Sequence, residues 1–359
     1  MGISSSLGSS ALLPAGLGFR NIIINGDMRI NQRNRTVTAN DYTVDRWVWQ
    51  NFGYAAISVA SNTDVPTGQG FTSSLRMTTT TGAAAGGYSF SYLGQIVEGF
   101  NSAQLAWGTA GAKPAAISFW VRSSVTGVHS VTVGNGDETY FCPCSYTINA
   151  ANTWEKKTVS VVGTTTGTWA TNNTAGLKLY FFTSIGSSYA VGASGVWSAS
   201  SLGVLGTVND NATTGNIFAI TGVQLEQNIQ PTPFEQRPIG VELALCQRYY
   251  EKSYDTTTAP GANTNNGLIL LTATTESAGS VYTPIRFKVP KRYTGYSITP
   301  YTNSGSSGNW RYTRNGVADT AATANVTYLG TEGFGLYVLT GAGWVAAQIY
   351  GHWVCDAEL

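Results

Sequence analysis

The stretch Pro231-Thr-Pro-Phe-Glu-Gln-Arg-Pro238-Ile-Gly-Val-Glu-Leu-Ala-Leu-Cys-Gln-Arg-Tyr-Tyr-Glu251 decides how the chain divides. Pro231 and Pro233 hold their neighbours extended. Pro238 suits the first turn of a helix, where its missing N–H costs nothing. Ile239, Leu243, Cys246 and Tyr250 then recur at helical spacing, which predicts a short amphipathic helix. Their stripe is too apolar for a lone linker, so these four residues are expected to be buried against a sandwich or between the subunits of a homotrimer.

On both sides of this helix the sequence reads as β-structure. Upstream, runs such as Ile22–Ile24, Arg46–Trp49, Tyr88–Tyr92, Ala116–Val121, Leu177–Phe182 and Ile217–Ile220 are short, β-prone and separated by Gly, Asn, Ser or Thr turns. About ten such strands and no long helical pattern argue for a two-sheet sandwich and against an α/β fold. Downstream, Ile285, Phe287 and Val289 share one face while Arg286 and Lys288 share the other, the alternation of a half-buried strand. The expected fold class is therefore all-β. A leader spans 1–20, a jelly-roll sandwich 21–230, a Pro-rich hinge with its helix 231–255, and a smaller C-terminal sandwich 256–359. No internal repeat points to a solenoid or propeller.

Two motifs carry a resemblance. Gly222-Val-Gln-Leu-Glu226 followed by the stretch ending in Tyr249-Tyr250-Glu251 is similar to the segment that closes the first sandwich of bacteriophage tail-fibre and virion-surface proteins. Asn21-Ile-Ile-Ile-Asn-Gly-Asp-Met-Arg-Ile-Asn-Gln-Arg33 and Tyr42-Thr-Val-Asp-Arg-Trp47 resemble their opening strands. The first domain also resembles jelly-roll carbohydrate-binding modules of the family 4/9 type, although Ile220–Glu226 lacks the acidic pair that in such modules helps hold a structural calcium. The resemblance implies a non-enzymatic virion protein, assembled in the host cytoplasm and displayed on the virion surface. Its first form is a tail fibre or receptor-binding protein contacting host-surface glycan. A head fibre or capsid decoration protein and a glycan-depolymerising tailspike are the alternatives. Three copies of the C-terminal sandwich commonly associate in phage fibres, which implies a homotrimer.

Composition bounds the partners. The 359 residues carry a formal net charge of +1, with 11% charged and 12% aromatic residues. So weak a field gathers neither nucleic acid nor anionic lipid. No apolar run reaches the ~18 residues of a membrane span, so no membrane insertion is expected. In residues 1–20 the piece Ala11–Leu17 is broken by Pro14 and Gly16, a poor signal peptide. It reads either as a disordered leader or as a peptide that docks on other virion structural proteins.

No cofactor or metal is expected. Cys142 and Cys144 are read as facing opposite sides of an extended chain, a poor geometry for a mutual disulfide. With Cys246 and Cys355 they are taken as free thiols, because two histidines, His129 and His352, do not complete a zinc site. No catalytic residues are assigned. The histidines lack a Gly-x-Ser-x-Gly elbow, and Asp27, Asp41, Asp45, Asp137, Glu138 and Glu155 are too scattered to pair as glycanase carboxylates.

Aromatic residues carry the ligand chemistry, because sugar rings stack apolar C–H faces on flat side chains. Trp47 and Trp49 share one strand face, as do Tyr88, Phe90 and Tyr92. Both stripes read either as core or as stacking surface. Trp169, in the Gly- and Thr-rich turn Gly163–Asn173, reads as an exposed platform or as a ring folded under its own loop.

Overall fold

The computed structural model describes residues 19–190, 192–276, 280–314, 317–339 and 344–359. The leader therefore falls almost wholly outside the described residues. The first sandwich consists of two antiparallel sheets. One has six strands: β1 (Asp41–Tyr42), β2 (Trp47–Asn51), β5 (Phe90–Glu98), β10 (Ala175–Ile185), β7 (Gly127–Asn135) and β8 (Phe141–Ile148), side by side in that order. The other has five: β3 (Ala56–Asn62), β4 (Ser74–Thr81), β11 (Ile217–Glu226), β6 (Ala115–Ser123) and β9 (Glu155–Val161). Neighbours distant in sequence, such as β4 beside β11, give the jelly-roll crossovers. Between the sheets lie Trp47, Trp49, Leu93, Phe119, Leu179, Phe181 and Phe218, all fully buried. Their inward positions alternate with outward ones along each strand, as the pleat requires.

The second, smaller sandwich is one sheet folded over its own core. In order it contains β12 (Tyr250–Lys252), β19 (Trp344–Asp356), β16 (Asn309–Arg314), β17 (Val317–Gly330), β18 (Gly333–Leu339) and β14 (Ser280–Arg286). Two further strands, β13 (Ile269–Glu276) and β15 (Ser297–Tyr301), pair with successive parts of β19. The bend needs the length of β17 and β19, each of which changes partners along its course. Trp310, Phe334, Leu336, Ile349 and Trp353 fill the interior.

Several expectations need correction. Ile22–Ile24 is buried but is not a strand. The side chains of Asn21, Gln95 and Asn25 satisfy backbone groups of this segment and of Ile30, with Gln95 bridging both the N–H and the carbonyl of Ile24. Asn25 and Met28 have positive φ, which no regular strand accommodates. A Cβ at Gly26 would sit 2.1 Å from the Val223 carbonyl oxygen, so only glycine fits there. Cys142 and Cys144 enter the same core, since residues two apart share a strand face. All four cysteines are free and buried.

The helix forms as α2 (Ile239–Gln247), after one short turn at α1 (Gly99–Ser102). Its buried side is not the predicted stripe. Ile239 is 54% exposed, Leu243 is half-buried, and Tyr250 lies beyond the helix in β12. Of the four, Cys246 and Tyr250 are buried. Glu242 takes an inward position because Asn25 N–H and Arg237 both bond its carboxylate.

The segment after the helix joins the sandwiches through charged groups. Arg33, 2% exposed, meets Asp45, Asp356 and Glu358 and lies 3.8 Å from the centre of the Tyr250 ring. Arg46 is fully buried, paired with Glu358 and stacked 3.5 Å from the Tyr249 ring centre. Arg248 forks onto Glu98 at 2.8 and 2.6 Å, and Tyr249 donates its hydroxyl to the same carboxylate at 2.6 Å. Lys291 bonds Glu251 at 2.7 Å. Few charges exist in this chain, and many of them are spent here.

Candidate functional site

The outer face of the six-stranded sheet carries an aromatic cleft of about 740 Å³, within the range of small-ligand sites. Strand alternation builds it. On β10, Leu177, Leu179 and Phe181 point into the core, so Lys178, Tyr180 and Phe182 point out. On β5, Leu93 and Val97 point in, while Phe90, Tyr92 and Ile96 line the cleft. Gly94 leaves room for the Tyr92 and Tyr180 rings to meet at 4.4 Å, because a Cβ there would lie 3.1 Å from both.

Tyr180 and Phe182 form a buried floor. Above it stand half-buried Phe90, Tyr92 and Tyr189 and exposed Phe52. The Phe90 and Tyr92 rings are parallel within 6° at 6.1 Å, and Phe52 lies 4.8 Å from Phe90. The connection after β10 supplies a wall with Tyr189, Ser200 and Leu202.

The polar groups of the cleft are few and mutually paired. Lys178 Nζ lies 3.0 Å from Glu138 Oε1, and the Tyr180 hydroxyl donates to the same oxygen at 2.5 Å. Burial pushes the Glu138 carboxyl up, but the bonds from Tyr180 and Lys178 outweigh it and hold it below the usual carboxylate range. Burial, aided by the Glu138 charge, pushes the Tyr92 phenol well up, so it stays a neutral donor. Charge within the cleft thus cancels, and Gln50 adds a neutral amide at the rim.

The sequence-predicted platforms lie elsewhere. Trp47 and Trp49 are wholly enclosed between the sheets, on the inward side of β2, and have no face to offer a ligand. Trp169 is half-buried, edge-on to Trp107 at 4.9 Å and Trp197 at 5.6 Å, with its indole N–H donated to Thr166 O. It is a ring folded under its own loop. Of the two candidate stripes, Phe90 and Tyr92 reach the cleft. Tyr180 and Phe182 were missed, although Lys178 at the same parity marked that side of Leu177–Phe182 as the outer one.

No second carboxylate joins Glu138 among the described residues lining the cleft. The most triad-like set lies apart from it: Asp210 accepts from Ser123 at 2.6 Å and meets His129 at 3.1 Å. Both Asp210 and His129 are completely buried, and the carboxylate contacts the serine directly rather than through the imidazole. Among the described residues no cluster of three or more His, Cys, Asp or Glu could hold a metal. None of their helices is long and apolar enough to cross a membrane.

No known sequence family matches the chain, and no curated protein matches it. Solved structures match over somewhat more than half of the chain. One is the enzymatically active domain of tailspike protein 4 from bacteriophage CBA120, at 13% identity and TM-score 0.33, covering 58% of this chain. The chain spans only 21% of that tailspike domain. A family 4 carbohydrate-binding module matches at 12% identity and TM-score 0.30, covering 57% of this chain and 98% of the module. The family 11 module of a Clostridium thermocellum cellulosomal cellulase matches at 13% and 0.28, covering 55% and 97%.

Proposed function

We propose that this chain is a non-enzymatic carbohydrate-binding protein of a bacteriophage particle surface, a tail fibre or receptor-binding protein that holds a neutral host-surface glycan in the cleft of its first sandwich. The observation that carries the reading is the row of Phe52, Phe90, Tyr92 and Tyr189 beside a Glu138–Lys178 pair whose charges cancel. Such rings suit the C–H faces of pyranoses, and hydroxyls find partners in Gln50, Ser200 and the paired charges. An anionic glycan would meet no uncompensated cation there. The virion setting is supported by the resemblance of the Asn21–Arg33 and Pro231–Glu251 motifs. Binding without hydrolysis fits a cleft with one carboxylate among its described lining residues, since glycosidases require two flanking the scissile bond.

Adsorption to host cells and to their purified surface polysaccharide tests this. Tyr92→Ala should lower retention at least tenfold, while Trp169→Ala should leave it within twofold. Retention unchanged by Tyr92→Ala together with Phe52→Ala would refute the cleft as the glycan site. Light scattering tests the homotrimer: a monomer at micromolar concentration removes it.

A further inference from the structure

We propose that the second sandwich carries its own pyranose-stacking site, a groove of about 410 Å³ on the outer face of β14, β18 and the end of β17. The choice of carbohydrate rests on the reading of the first cleft; the groove itself does not. Gly333 and Gly335 form a floor without side chains, flanked by Pro284. At one end Tyr282, 59% exposed, stacks on its cross-strand partner Tyr337 at 4.8 Å. Over the other side leans Tyr328, which is 80% exposed. Arg286 and Glu332 stand at the rim and offer a donor and an acceptor.

Tyr328 is the telling residue. It occupies left-handed backbone at φ 50°, unfavourable for a residue with a bulky side chain, at a register shift where β17 turns into β18. Its ring also gains little from burial. A Cβ on Gly335 would lie 2.9 Å from its Cδ2 and 3.0 Å from Thr327 Cγ2, so the ring rests directly on glycine backbone and turns its other side outward. A glycine at 328 would relieve the left-handed backbone, and the tyrosine there holds an aromatic plane over the groove. A peptide added along the β14 edge is a poorer fit, because Pro284 removes a backbone donor in mid-strand. Stacked tyrosines above a bare floor, with one cation and one anion at the rim, suit a pyranose ring.

Saturation-transfer NMR with methyl glycosides of glucose, galactose and N-acetylglucosamine tests the proposal on the intact chain. The Tyr92→Ala variant, weakened at least tenfold in the first cleft, should still show transfer to at least one glycoside. Adding Tyr328→Gly should abolish it while leaving Tm equal or higher, because glycine relieves the left-handed strain. Binding of a multivalent polysaccharide should fall about tenfold or more with Tyr328→Gly alone, since linked sites multiply. If Tyr92→Ala alone removes all transfer, the second site is refuted and the first reading stands. If transfer persists in the double variant, the groove is not the second site. Transfer from none of the glycosides to wild-type protein overturns both. A proline hexapeptide that perturbs the groove tyrosines when no glycoside does overturns the ligand class.

Discussion

Glu358→Ala offers the sharpest test of how the two sandwiches are joined. Glu358 is nearly enclosed, at 4% side-chain exposure, and serves two guanidinium groups. Arg33 keeps Asp45 and Asp356 after the substitution, so its share of the loss is small, about 1 kcal/mol. Arg46 forms no other ion pair among the described residues, although the Glu98 carboxylate is near enough to feel its charge, and it keeps a bond to Ile96 O and the Tyr249 ring. Stranding a buried charge in this way costs about 3–5 kcal/mol. The sum is about 5 kcal/mol. With a urea m-value of about 3 kcal/mol/M, the midpoint should fall by about 1.7 M. Because the lost pair spans the joint, urea melts followed by tryptophan fluorescence and by far-UV dichroism should also stop coinciding. The paired change Arg46→Met with Glu358→Met should recover most of the loss, since apolar isosteres avoid leaving a charge unpaired. A midpoint shift under about 0.3 M for Glu358→Ala, with both signals still coincident, would refute the account of the joint.

Trp169→Ala should lower stability by about 2 kcal/mol, seen as several degrees in calorimetry, through its lost edge contacts with Trp107 and Trp197. Glu98→Gln should flatten acid unfolding below pH 5. Burial raises the Glu98 pKa, but the bonds from Arg248 and Tyr249 bring it below 4.5, so the native state binds fewer protons and the wild type gains stability as pH rises through that window and loses it as pH falls. Chemical denaturation at pH 3 to 6 with no difference in slope would contradict this. Gly351→Val should unfold the second sandwich, because a Cβ would lie 2.3 Å from Trp310 Cδ1, and near-UV dichroism should report the loss of that ring's packing.

The sequence made the class of the fold plain, and strand parity explains where it misled. Period-two alternation shows that two faces exist without saying which is inward when both are apolar. In Arg46–Trp49 both tryptophans were right for core and wrong for ligand, and in Leu177–Phe182 the aromatic pair Tyr180 and Phe182 sat on the side that Lys178 marked. The helical stripe failed for another reason. Spacing ranks Ile239 above Glu242, but a carboxylate already bonded by Asn25 and Arg237 can occupy the inward position. Of these two partners Arg237 is five residues away, but Asn25 arrives from 217 residues away and leaves no local trace. The motif Asn21–Arg33 likewise read as a strand, because its asparagines satisfy backbone groups that a periodicity argument assigns to a ladder.

The joint also fixes where a pull would travel. Ile24 and Ile30, near the beginning of the described chain, share one apolar cluster with Leu359 at its end and with Cys246 and Tyr249, and the Tyr42 hydroxyl donates to Leu359 O at 2.8 Å. A pull entering ahead of Asn21 therefore meets two attachments at once: β11, where Ile22 N–H donates to Leu225 O at 2.8 Å and Asn21 Nδ2 to Val223 O at 3.0 Å, and the apolar seam shared with the end of the chain.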